Sequence, residues 1–386
     1  MMSPISRRDL LKSLSILAVG GLTGYLVGSI YPATGYISSP ASRSEYELRI
    51  YNWQAYLNKD IVIPYFIGIE YRNGRGVKVV YDEFNNAEEA YARLSLGGYS
   101  YDVFNLGIEV MYKALKANLL EKLDHRKIPN ITNIDPWIME LLRIKYPEEI
   151  DLSDYGIPYM WGTTGIVYNK KILGVDVESL HQLFDAEFLK RYSKRIFMID
   201  DPITVTMVTL IYLGRDFTDP KSYTRESLEE VYQTLKSITG YIVFLTTDQL
   251  IQELTRESMY AGVAWNGDAL QAIVENNNLI YRIPEEGSDL WVDMWTIASN
   301  ARNKDLGYDW INITLDPWIA SLNTLAINYA NPIPSSKEYL PESIINNPAI
   351  YPDEDSVRRL KVFRPLTKEE TDNIAEIVWS RIAGRI

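Results

Sequence analysis

Cysteine is absent from the 386 residues. That excludes disulfides, thiolate metal sites, thiol nucleophiles and lipid attachment at a cysteine. Histidine is almost absent too; only His125 and His181 occur, far apart in the chain. A histidine-rich metal centre is excluded, and a Ser-His-Asp triad would need one of those two. Cations are in deficit. Lys and Arg total 39 against 51 Asp and Glu, a net charge of −12. A chain short of cations is poorly equipped to displace counterions from phosphates, so no nucleic-acid partner is expected. The same sign is compatible with a cationic ligand. No internal repeat or low-complexity tract occurs. What is present is ordinary globular chemistry, 46% apolar and 23% charged, in a length that suits two domains. Tyrosine is over-used, at 28 against 9 Phe and 9 Trp. It is the aromatic that keeps a polar tip, which fits wet binding surfaces.

The amino terminus reads as an address. Ser6-Arg7-Arg8-Asp9-Leu10-Leu11-Lys12 precedes an uncharged stretch from Ser13 to Tyr31. A charged start followed by an apolar run is a signal-peptide pattern, and the Arg pair resembles a twin-arginine export signal. The run is also near the length that spans a bilayer, and Ser39-Pro40-Ala41 is a poor cleavage site. Export is therefore expected, to the periplasm or the outer face of the cell. Release and retention by an amino-terminal anchor, over residues 1–44, both stay open.

From residue 46 strands and helices alternate. Leu48–Trp53, Val77–Asp82 and Tyr101–Leu106 are short apolar runs rich in β-branched and aromatic residues, and they predict strands. Residues 58–71, Asn86–Leu96 (closed by Gly97-Gly98) and Glu109–Leu120 predict helices between them. Three such units in a row predict a parallel sheet with helices on its faces. Leu228, Val231, Leu235 and Ile238 form an apolar helical stripe, with Ser227-x-x-Glu230 as its expected capping box. Proline punctuation at Ile157-Pro158 and at Asn331-Pro-Ile-Pro334 marks expected passages between domains.

In open α/β sheets ligands sit beyond the carboxyl ends of strands. Those ends recur here as Trp, Tyr, Asp and Glu. Trp53 and Tyr56 follow the first strand, and Glu109 follows the third. Asp200-Asp201 end Ile196–Ile199, and Trp265 and Asp268 end Gly262–Ala264. Strand alternation puts Trp291 and Asp293 on one side of Leu290–Trp295. Each has a plain structural alternative. Asp201, with Pro202 next, could simply cap a helix. Glu109 could be a solvated acid at a helix start, and Asp293 could have an Arg or Lys partner inside the protein.

Taken in order, Tyr51-Asn-Trp53 with Tyr56, Tyr101-Asp-Val103, Asn130–Pro136, Tyr155–Gly162, Asp200-Asp201, Trp265-Asn-Gly267, Ile283–Gly287, Trp291-x-Asp293 and Tyr351-Pro-Asp353 resemble one family throughout. It is the spermidine/putrescine family of extracellular solute-binding proteins, the receptors of ABC-type polyamine importers. The resemblance covers essentially all of residues 46–386. It implies a periplasmic-binding-protein-like α/β fold, two lobes joined by crossing strands with the ligand in the cleft between them. The lobes expected here are 46–158 with 294–333, and 159–293 with 334–386. It further implies hinge closure, ABC permease subunits as partners, a monomer, no cofactor, no metal and no catalysis.

Residue by residue, the resemblance implies that Trp53, Tyr56, Trp265, Trp291 and Tyr329 line the cleft. It implies that Asp201 and Asp293 meet amines and that Asp268 matches the putrescine-preferring branch. Four positions depart from the family. Thr204 replaces an acid, Glu109 a tyrosine and Gly107 a serine, and Phe363 stands nearest to a family glutamine. A polyamine carries a cation at each amine with methylenes between, so a site for it needs carboxylates at intervals and aromatic walls. A receptor for another organic amine, or a sensory module with the same fold, would use the same cleft. A hydrolase built on Asp200 and Asp201 is disfavoured, because adjacent strand residues face opposite ways.

Overall fold

The protein is described by a computed structural model that covers residues 46–96, 101–144 and 149–384. The expected export segment and the Gly97-Gly98 helix stop lie outside those residues. Among the described residues no helix is long and apolar enough to cross a membrane.

The chain opens with β1 (Tyr46–Trp53), α1 (Lys59–Arg72), β2 (Val77–Phe84), α2 (Ala87–Ser95), β3 (Val103–Gly107) and α3 (Ile108–Lys116). β1 pairs in parallel with both β2 and β3, as the alternating pattern predicts. Next come β4 (Gly156–Asn169), β5 (Ile196–Ile199), α4 (Pro202–Tyr212), α5 (Arg225–Ile238) and β6 (Ile242–Leu245). They are followed by α6 (Thr247–Thr255), β7 (Ala261–Trp265), α7 (Asn266–Glu275), β8 (Leu279–Arg282) and β9 (Ser288–Ile297). Near the end stand α8 (Pro317–Ile327) and β10 (Leu360–Val362).

The strands form one mixed sheet in the order β2-β1-β3-β9-β4-β7-β5-β6, with β8 added on β4 and β10 on β9. β4 and β9 are the long members, buried along nearly their whole length, and they run antiparallel through the middle. The early half of β4 pairs with β9, and its later half with β7 and β8. Two apolar cores lie along this sheet. The larger includes Leu48, Phe66, Trp295 and Trp310; the smaller includes Ile166, Leu210, Leu235 and Val378.

Several local expectations shift. The helix with the Leu228 stripe starts at Arg225, and Thr224 caps it by accepting the Ser227 amide. Ser227 is thus inside the first turn and buried, so Ser227-x-x-Glu230 is no capping box. The helix after β3 ends at Lys116 rather than Leu120, because Asn118 takes a left-handed φ of 56° and Leu120 bridges to Ala298 instead. Pro158 does not break its strand. It lies within β4, where the pairing with β9 slips by one residue between Asp293 and Met294. A proline has no N–H to give to the ladder, and a bulge is where a strand tolerates one.

Candidate functional site

The carboxyl ends of β1, β3, β5 and β7 converge with the middle of β9 on one cavity. All nine residues singled out from the sequence line it: Trp53, Tyr56, Glu109, Asp201, Trp265, Asp268, Trp291, Asp293 and Tyr329. Of the departing positions, Thr204 and Phe363 also line it.

Its walls are aromatic. Trp53 at the end of β1 meets Trp265 at the end of β7 edge to face, 6.2 Å between ring centres. Tyr329 packs edge to face on Tyr56 at 5.1 Å and on Trp291 at 5.2 Å. Two glycines admit these rings. A side chain at Gly162 would run into the Trp291 ring, and one at Gly267 into the Tyr329 ring. The indole N–H groups of Trp53 and Trp291 and the hydroxyl of Tyr56 are buried without a hydrogen-bond partner. Buried donors rarely stay unpaired, and these lie in residues that face the cavity.

Its charge is of one sign. Glu109, Asp201, Asp268, Asp289 and Asp293 line the cavity, and no Lys, Arg or His does so among the described residues. Asp293 borders the slip in the β4–β9 pairing and sits opposite Gly107 in the β3 ladder. Burial pushes its carboxyl up to about 7; the nearby Tyr56 hydroxyl offsets part of that without forming a well-shaped hydrogen bond. Glu109 stands in the first turn of α3, and burial raises it to about 8, with the charges of Asp293, Asp201 and Asp289 adding to the effect. Asp268, in the first turn of α7, is pushed up to about 6 by burial. The Tyr329 hydroxyl donates to its Oδ1 at 2.9 Å and the Thr247 hydroxyl to its Oδ2 at 3.2 Å, which holds the rise in check. Asp201 serves twice. Its Oδ1 accepts the Thr204 amide at 2.7 Å as the cap of α4, and the residue also lines the cavity, where burial raises its pKa. Its neighbour Asp200 is exposed and faces elsewhere, so the two acids do not form a dyad.

Asp289 was not anticipated. The signal lay in the same alternation that pairs Trp291 with Asp293, because two residues back in β9 falls on the same face. Burial pushes it up to about 6. Gln54, Met207 and Thr247 also line the cavity without having been singled out. At its edge the Gln54 side chain donates to Asp248 Oδ2 at 2.5 Å, joining the end of β1 to the start of α6. The acids are spread along the cavity. Among the described residues no three His, Asp or Glu side chains converge as they would to hold a metal ion.

Burying several unpaired carboxyls is costly unless a cation arrives to meet them. With indole and phenol faces between the acids, the arrangement suits an elongated organic cation, with charged ends and an apolar stem.

Comparison with known proteins agrees with that chemistry. The bacterial extracellular solute-binding protein family matches residues 70–352. The putrescine-binding periplasmic protein of Pseudomonas aeruginosa is 28% identical over 350 residues, covering 87% of this chain and 91% of the relative. The putrescine-binding periplasmic protein of Escherichia coli is 27% identical over 387 residues, 96% and 97% of the two chains. Among solved structures, a putative spermidine/putrescine ABC transporter protein from Listeria monocytogenes superposes with a TM-score of 0.78 at 28% identity, over 88% of this chain and 99% of that one. The substrate-binding protein of a spermidine/putrescine ABC transporter from Streptococcus pneumoniae gives 0.71 at 29% identity, over 88% and 99%. The fold is that of the two-lobed periplasmic binding proteins, and the chain belongs to the bacterial extracellular solute-binding proteins.

Proposed function

We propose that this protein is the extracytoplasmic receptor of an ABC importer and that its cavity takes a linear polyamine of the putrescine or spermidine kind. The observation that carries the reading is the cavity itself: five buried or half-buried carboxyls, aromatic walls, and no lining cation among the described residues. The amine-binding names of its relatives support it. Asp293 meets a terminal ammonium, Glu109, Asp201 and Asp268 supply further charge, and Trp53, Trp265 and Trp291 hold the methylenes. Lobe 1 comprises 46–158 with 294–333, and lobe 2 comprises 159–293 with 334–386; they close on the solute by bending across β4 and β9. The role is delivery rather than catalysis. The amino-terminal segment exports the chain, by the twin-arginine route, and the receptor works as a monomer against its permease. Titration calorimetry tests the core of this. Stoichiometric binding of putrescine or spermidine, with the amine recovered unchanged, is the expected result. Failure to bind any diamine or triamine would end the proposal.

A further inference from the structure

Asp289 is the acid of this cavity with the least access to solvent apart from Asp268, each 5% exposed. Its Oδ1 accepts the Thr164 amide at 3.2 Å; the Ser288 hydroxyl, also 3.2 Å away, lies closer to the Thr164 carbonyl, at 2.6 Å. No Lys, Arg or His lines the cavity beside it among the described residues. Two cations on the neighbouring strand segment are engaged elsewhere: Lys361, opposite Asp289 in the β10 ladder, reaches Asp216 at 2.7 Å, and Arg364, just after β10, pairs with Glu370. Phe363, which follows β10, is an apolar wall at this end of the cavity. A second feature points to a ligand: the Trp291 ring, two residues along β9, presents a buried N–H with nothing to bond.

Spacing says what that ligand is. Asp289 and Asp293 are four residues apart in an extended strand, so their Cα atoms stand about 13 Å apart. The nitrogens of 1,4-diaminobutane are separated by about 6 Å, and the outer nitrogens of spermidine, nine bonds apart, by about 11 Å, with bonds of roughly 1.5 Å in zigzag. A four-carbon diamine that meets Asp293 cannot also reach Asp289; a triamine can, and Glu109, which lines the same cavity, is an acid available to its middle nitrogen. We propose that Asp289 is a further anionic contact of this cavity, one that selects a linear triamine over a four-carbon diamine. The inference rests on the polyamine reading above.

The test is calorimetry on the full chain with putrescine, spermidine and a series of unbranched diamines from three to ten carbons. The native protein should prefer spermidine to putrescine. Along the diamine series, affinity should rise again near eight carbons, where the two nitrogens match the outer pair of spermidine. Asp289→Asn keeps an oxygen for the Thr164 amide. It should cut the spermidine-to-putrescine preference by roughly 30-fold, the low end of what stranding one buried charge costs. An unchanged preference in Asp289→Asn overturns the inference. So does an affinity that simply peaks at four carbons in the native protein, a result that needs no variant to fold. Either outcome leaves the polyamine reading standing, whereas a native protein that binds no amine at all removes both.

Discussion

Two kinds of buried carboxyl coexist in this molecule. Glu370 is 7% exposed and carries its own counter-ion. Arg364 grips it with two hydrogen bonds, at 3.0 and 2.6 Å. The rest of that guanidinium is spent on the Thr218 and Pro365 carbonyls and on the face of Tyr223. Asp268 and Asp289 are as deeply buried and Asp293 is half-buried, but among the described residues they meet hydroxyls and amides and no guanidinium or ammonium. The first arrangement is closed and serves the fold. The second is open, and the charge that would complete it has to come from outside. Burial of an acid is therefore uninformative about function until its counter-ion has been looked for.

The sharpest way to break this contrast is to exchange the symptoms. Arg364→Met should cost about 3–5 kcal/mol of stability by leaving Glu370 buried and alone, while amine affinity stays put; chemical denaturation and calorimetry read the two separately. Asp293→Asn should do the reverse. It should weaken amine binding by about 2–5 kcal/mol without lowering the melting temperature of the empty protein. Unchanged affinity would remove Asp293 from the site. Trp291→Ala comes next, with a loss of about 0.5–2 kcal/mol from the missing cation–π and apolar contact and little change in the salt dependence of binding.

A further effect is one of pH. Asp268 and Asp289 are pushed up to about 6, Asp293 to about 7 and Glu109 to about 8. A carboxyl whose folded pKa is raised holds its proton more tightly when folded. The empty protein should then lose stability as pH climbs from about 4 to about 8 and level off above, with the unfolded carboxyls titrating near 4. A bound cation favours the charged acids, so binding should release protons and tighten over the same window. Calorimetry at neutral pH in buffers of different ionisation enthalpy detects that release, and a buffer-independent heat would contradict it.

The α/β alternation from β1 to α3 was legible because its strands are short runs rich in β-branched and aromatic residues, set apart by helix-length stretches. The gathering of Trp53, Glu109, Asp201, Trp265 and Asp293 was legible for a different reason. The first four stand at or near strand ends, and each parallel part of the sheet, β1 with β3 and β5 with β7, brings such ends to one edge; Asp293 stands in the middle of β9 and is placed by alternation with Trp291. Asp289 escapes because the apolar run begins at Leu290, two residues after the strand itself begins, so the alternation is not carried back to it. The cap of α5 was misplaced because Ser227 and Thr224 both have cap chemistry, and only burial of the Ser227 side chain distinguishes them. Pro158 reads as an interruption in one dimension; only pairing with β9 reveals that the ladder bends around it. The unpaired state of the cavity acids could not be read at all, since it depends on where every cation of the chain points.

The glycines at 162 and 267 divide the cavity into parts that tolerate change differently. Even a methyl group at either position would evict an aromatic ring, so the walls are locked to the backbone and resist gradual alteration. The acids are held by no such lock. Exchanging an acid along one face of β9 would leave the walls standing, and a lineage could thus move from one solute to a longer or shorter one by single substitutions, on an unchanged frame.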